Sequence, residues 1–147
     1  MIELLLISSS FFGHGLWECT HSYDYPKDNL KESFVSRVIH KADLTYESEG
    51  HVTYRILDTG QMIARASIVA SGKTLIEGHE FSIVPSTYNV GIDFDVHQML
   101  TQDYLAHIQK NGLAPGHGLY IKELSDIKMI IEHKKSGDIT QCTSYSM

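Results

Sequence analysis

Three side chains able to ligate a metal, His14, Cys19 and His21, fall within the segment FFGHGLWECTH at residues 11–21. On an extended chain Cys19 and His21 point the same way, and Gly13 and Gly15 let His14 fold back towards them. Zinc takes four protein ligands in a structural site, or three and a water in a catalytic one. A fourth ligand here would have to be His117 or Cys142, far along the chain, so no metal is expected and these residues stay as candidates. The simpler reading is a loop anchored by Phe12 and Trp17, with His14 and Trp17 placed to touch a ligand.

Histidines offer a second kind of chemistry. The tripeptide GHG occurs twice, around His14 and His117, and glycines on both sides of an imidazole suit a loop that approaches a ligand closely. Glu77 and His79 flank Gly78. Were they to face inward beside small residues, each would shift the other's protonation and make an acid/base pair. A two-residue Ser71-Gly72 turn gives that register. A three-residue Ala70-Ser71-Gly72 turn instead sends Glu77 outward to pair with Arg65, and Gly78 becomes a bulge; this buries no unpaired charge and is preferred. His79, Glu77 and His117 are therefore the catalytic candidates. His14, Trp17, Tyr54 and His79 are the ligand-binding ones.

Three shorter strings carry less. The HVT at 51–53 is half of a paired H-x-T/S phosphoesterase signature, and no second half appears. ASGKT at 70–74 lacks the upstream glycine and the following helix of a phosphate loop. LDTGQ is accounted for by a turn.

The elements that would position these groups follow from hydrophobic spacing. MIELLLISSSFF has no basic start, carries Glu3 and is too short for a membrane span; it reads as a first strand in a cytoplasmic protein, with Cys19 and Cys142 as free thiols. Asn29 and Glu32 fit a capping box ahead of an apolar stripe of Leu30, Phe34, Val35, Val38 and Ile39, which predicts a first helix. A second helix is predicted from about Asp95, capped by Asp95 and Gln98 and stopped at Asn111-Gly112. Between them, residues 51–84 predict three strands. A three-residue Asp58-Thr59-Gly60 turn with Gly60 left-handed pairs Ile56 with Met62, Tyr54 with Ala64 and Val52 with Ala66. The resulting apolar face of Met62, Ala64, Ala66, Ile68 and Ala70 is built of small side chains, leaving room for something bulky, a helix above all. KKSGD followed by ITQCTSY predicts a C-terminal hairpin.

The expectation is one α+β domain over 1–147. It has two layers, a mainly antiparallel curled sheet packed against two helices in the order β-α-βββ-α-ββ. Eighteen acidic residues against twelve basic give a net charge of −6, which disfavours nucleic acid as a partner, and no membrane span is expected. No catalytic set is complete and no cofactor is implied. The expected function is a binding module for a partner protein or small molecule, working as a homo-oligomer. The alternative is a small enzyme with histidine acid/base chemistry in a cleft near His14, Glu77, His79 and His117.

Overall fold

The computed structural model describes residues 16–145, without the side chains of His117 and Tyr145. Eight strands follow one another as β1 (Leu16–Tyr25), β2 (Leu30–His40), β3 (Thr45–Ile56), β4 (Met62–Glu77), β5 (Glu80–Asp95), β6 (Gly116–Leu124), β7 (Lys128–His133) and β8 (Ile139–Tyr145). One helix, α1 (Gln102–Leu113), joins β5 to β6. Each strand pairs antiparallel with the next, and β8 returns to pair with β1, so the sheet closes into a barrel. The two-layer sheet with two helices is thereby corrected: the structure is a closed antiparallel barrel with a single helix among the described residues.

The missing helix is the stretch 30–40, which is strand β2, paired along its whole length to β1 and β3. Its Leu, Phe, Val and Ile residues satisfy helical spacing and strand alternation alike. What decides is the neighbourhood: Val35, Val38 and Ile39 are β-branched, Ser33 and Ser36 are indifferent to helix, and partner strands stand on both sides. Asn29 does not start an α-helix. It ends the short 3-10 turn Pro26–Asp28 in a left-handed conformation (φ 51°) between β1 and β2, and its side-chain oxygen accepts the Asp58 amide at 3.2 Å.

The β3–β4 hairpin has the expected turn, with Gly60 at φ 72°, and the expected pairs Val52↔Ala66 and Tyr54↔Ala64. A bulge then places Met62 opposite Arg55 rather than Ile56. The next expected turn, at Ser71-Gly72, is absent. β4 runs through it to Glu77 and the chain reverses at Gly78-His79, with Gly78 at φ 62°. The reason is visible at Gly72, where a Cβ would lie 2.4 Å from the Val84 carbonyl oxygen and 2.8 Å from Pro85 Cα. Beside it the β4–β5 ladder shifts register. Gly50 is similar, with 2.2 Å to the Val35 carbonyl oxygen. Both glycines mark close approaches between curling strands, not turns.

The second expected helix exists but starts later. Thr101 caps α1 by accepting the Tyr104 amide at 3.2 Å. Asp95 instead ends β5 and accepts the amides of Met99 (3.0 Å) and Leu100 (2.8 Å), which fixes the approach to the helix. The C-terminal hairpin stands, with Gly137 at φ 76° in the β7–β8 turn. A strand expected over the first residues lies outside the described residues.

Large inward side chains gather in two clusters. One comprises Trp17, Phe81, Leu119, Ile121, Met129, Ile131 and Cys142. The other, towards the β1–β2 and β3–β4 turns, includes Val52, Tyr54, Ile63, Ala64, Ala66 and Leu100, with Tyr104 and Leu105 of α1 packed against it. The alanine face is buried, as expected, and α1 covers part of it. Strands β6 to β8 are short. Beyond Ile83 on β5 and beyond Thr20 on β1 no described strand continues the wall, and α1 packs along β5 there.

The expected free thiols are also corrected. Cys19 stands opposite Cys142 in the β1–β8 ladder and the two form a disulfide. Among the described residues no helix is long and apolar enough to cross a membrane. Two outcomes follow. Iodoacetamide should label no cysteine even after unfolding unless a reductant is added, and the double substitution Cys19→Ser/Cys142→Ser should lower unfolding free energy by about 2–4 kcal/mol in urea titrations. Gly50→Ala should cost about 2 kcal/mol or more, because its methyl group meets backbone of β2 that cannot yield.

Candidate binding cavity

An eight-stranded barrel has an interior just wide enough to be filled by side chains or to hold one small ligand. Here the inward residues midway along β2, β3 and β4 are small: Ser36, Ser48, Gly50 and Ala70. The bulky ones sit in the two clusters. A cavity of about 410 Å³ remains between them. The residue types on β4 leave that room, and the helix takes up only part of it.

The wall is mainly apolar, supplied by Phe34, Val38, Ile68, Ile83 and Met129 among others. Gly112 and Ala114 at the end of α1 and Gly116 at the start of β6 complete it. Gly112 has no side chain for a reason: a Cβ there would come 2.4 Å from the Tyr88 ring, which lines the same cavity.

Polar groups in the wall are few and consist of histidines, tyrosines and hydroxyls. His21 stacks on Phe34, with ring centres 4.6 Å apart and planes 15° from parallel, and meets the edge of Tyr23 at 5.3 Å. Burial holds its imidazole below the ordinary value, and nearby His133 adds to this, while Glu32 and Asp138 oppose it. His133 Nε2 lies 3.3 Å from Thr140 Oγ1. His40 is pushed down to about 4 by burial. Tyr46 and Tyr88 are both raised, chiefly by burial. Burial thus disfavours the charged form of both His21 and His40.

Beneath the cavity a polar network ties the helix to the barrel. The Tyr104 hydroxyl donates to Glu32 Oε2 at 3.2 Å and lies 2.8 Å from the Tyr54 hydroxyl. Tyr25 donates to the other carboxylate oxygen at 3.2 Å. Glu32 is 8 % exposed, so this carboxylate is buried and both its oxygens are met by phenols. Burial and the carboxylate together raise Tyr54, Tyr104 and Tyr25.

The sequence candidates are dispersed by this arrangement. Glu77 and His79 are exposed at the β4–β5 hairpin, Glu77 opposite Glu80, and Arg65 pairs with Asp93 at 3.1 Å rather than with Glu77. His79 lies 6.2 Å from the Tyr120 ring, away from the cavity. Trp17 is buried in the first cluster, and Tyr54 in the network beneath the cavity. His14 and the side chain of His117 lie outside the described residues. Of the metal candidates, Cys19 is bonded to Cys142 and His21 faces the cavity; no group of three metal-ligating side chains forms among the described residues.

Sequence reasoning missed His40, His133, Phe34 and Thr140 as a set. The available signal was alternation: His40, like Phe34 and Ser36, falls on the even positions of 30–40, but only once that stretch is read as strand. Compared with protein-family models and with curated proteins, the chain matches none.

The depressed pKa of His40 has a sign that can be checked. Between pH 6.5 and about 4 the unfolded chain binds a proton there that the folded chain does not. Stability is therefore full above pH 6.5 and falls as the pH drops through that window, by up to about 3 kcal/mol. His40→Phe should flatten the fall in urea titrations run from pH 7.5 to 4. Tyr104→Phe removes a partner from both Glu32 and Tyr54 and should cost about 1–2 kcal/mol at pH 7.5.

Proposed function

We propose that this chain binds one small, predominantly apolar molecule inside the barrel. The observation that carries the reading is the cavity itself, about 410 Å³ and partly open, between the sheet and α1. That size is in the range of pockets that bury most of a drug-sized ligand, and few convergent polar groups in an apolar wall are their usual chemistry. A cavity lined by small side chains forgoes dispersion contacts that filling would supply, so its persistence favours a use.

The alternative of a histidine acid/base enzyme loses Glu77 and His79, which lie outside the cavity. The contact between His133 and Thr140 supports it in part, because a base beside a hydroxyl is half of a nucleophilic set. Among the described residues of the cavity wall no carboxylate stands as the third member that would orient the histidine. A partner protein, or a second copy of the chain, is a reading supported by the acidic net charge of −6 and by exposed apolar side chains such as Val69 and Leu75. A cytoplasmic location implies two free thiols. Their pairing favours an oxidising compartment instead.

The test is a fluorescence titration with N-phenyl-1-naphthylamine, an uncharged probe that brightens in apolar surroundings. Saturation at one probe per chain is expected. Ala70→Phe and Ser48→Leu, whose residues face each other across β3 and β4 in the wall, should each weaken it at least tenfold. Binding that survives both fillings would place the probe elsewhere and end this reading.

A further inference from the structure

We infer that the molecule taken up by this cavity is uncharged and carries a hydrogen-bonding group at one end, held by His133, Thr140 and His21. The inference rests on the cavity reading and adds the chemistry of the ligand. Its basis is the make-up of the wall. Among the described residues the lining includes no lysine, arginine, aspartate or glutamate. Only histidines, tyrosines and the Cys19 disulfide bring ionisable residue types to it.

A carboxylate or an ammonium drawn into such a space would leave water without meeting an opposite charge, which costs several kcal/mol per ion. Two of the wall's histidines, His21 and His40, are held below the ordinary imidazole value, chiefly by burial, and so do little to supply that charge. The two carboxylates whose charge reaches His21 are both engaged outside the wall, Glu32 by Tyr25 and Tyr104 and Asp138 by Tyr23.

Three polar groups of the wall lie together. His133 and Thr140 are joined at 3.3 Å, and His21 is near enough to His133 to depress its own proton affinity. An imidazole donates from a ring N–H, and the threonine hydroxyl can donate or accept. A hydroxyl, carbonyl or amide on the ligand meets its partners there. The stacked pair of His21 and Phe34 presents a flat face beside them, to which an aromatic or conjugated body is suited.

Three probes decide the matter, titrated at pH 7.5 and 0.15 M salt with the disulfide intact. N-phenyl-1-naphthylamine is uncharged. 8-Anilinonaphthalene-1-sulfonate is the same skeleton bearing a sulfonate, and proflavine is a flat cation. The expected result is at least tenfold tighter binding of the neutral probe than of either ion, with neutral binding lost in Ala70→Phe and in Ser48→Leu. If either ion binds as tightly as the neutral probe and the fillings abolish it, the cavity is a binding site but the inference about charge is overturned. If no probe is sensitive to the fillings, the cavity reading itself falls and the inference goes with it. Thr140→Val together with His133→Phe should weaken 1-naphthol, which has a hydroxyl, by tenfold or more, and leave naphthalene within twofold. Equal weakening of both would remove the assignment of the polar end.

Discussion

The pairing of β8 with β1 is the interaction on which the rest of the structure depends. Without it the sheet is an open, curled ribbon whose inner face bears Trp17, Val52, Met129 and Ile131 towards water. With it, the two outer strands of the ribbon join in one ladder from Leu16↔Tyr145 to Thr20↔Gln141, and the inner face becomes an inside. The Cys19–Cys142 bond sits within that ladder, so the seam is held covalently as well as by hydrogen bonds. Around the outside, ion pairs such as Arg37–Glu18 and Arg65–Asp93 join neighbouring strands. Exposed as they are, each adds little stability; they agree with the register more than they enforce it.

Closure alone does not make a cavity; the distribution of side-chain size does. Bulky residues in two clusters and small ones between them leave space where a uniform allocation would have left none. The helix belongs to the same logic. Where β6, β7 and β8 stop short, α1 takes their place against β5, fastened by Tyr104 to Glu32 and Tyr54. The wall of the cavity is thus part sheet and part helix. The buried carboxylate works at the fastening and is kept out of the lining.

Much of the sheet was legible from residue order. The turn at Asp58-Thr59-Gly60, two of its three flanking pairs, the inward alanines and the C-terminal hairpin all follow from alternation and glycine placement. The errors share one cause: local pattern cannot report a partner strand. Residues 30–40 fit a helix and a strand equally, and only β1 and β3 on either side decide between them. Gly72 was read as a turn because a turn is the commonest local use of glycine, whereas its actual use is closeness to Val84 and Pro85. The site was less legible still. Its histidines His21, His40 and His133 come from β1, β2 and β7, and no spacing in the sequence brings them together. The small residues of β4 announced a space but not what kind.

All the strand pairings but one join neighbours in the chain. The exception brings together residues 123 positions apart. Short-range pairs can each be formed at small entropic cost, while the last requires the entire ribbon to be present and curled. The enclosed volume is consequently indivisible: it belongs to no hairpin, no half of the sheet and no excised module. Take away any one strand and what is lost is not a share of the interior but the distinction between interior and surroundings.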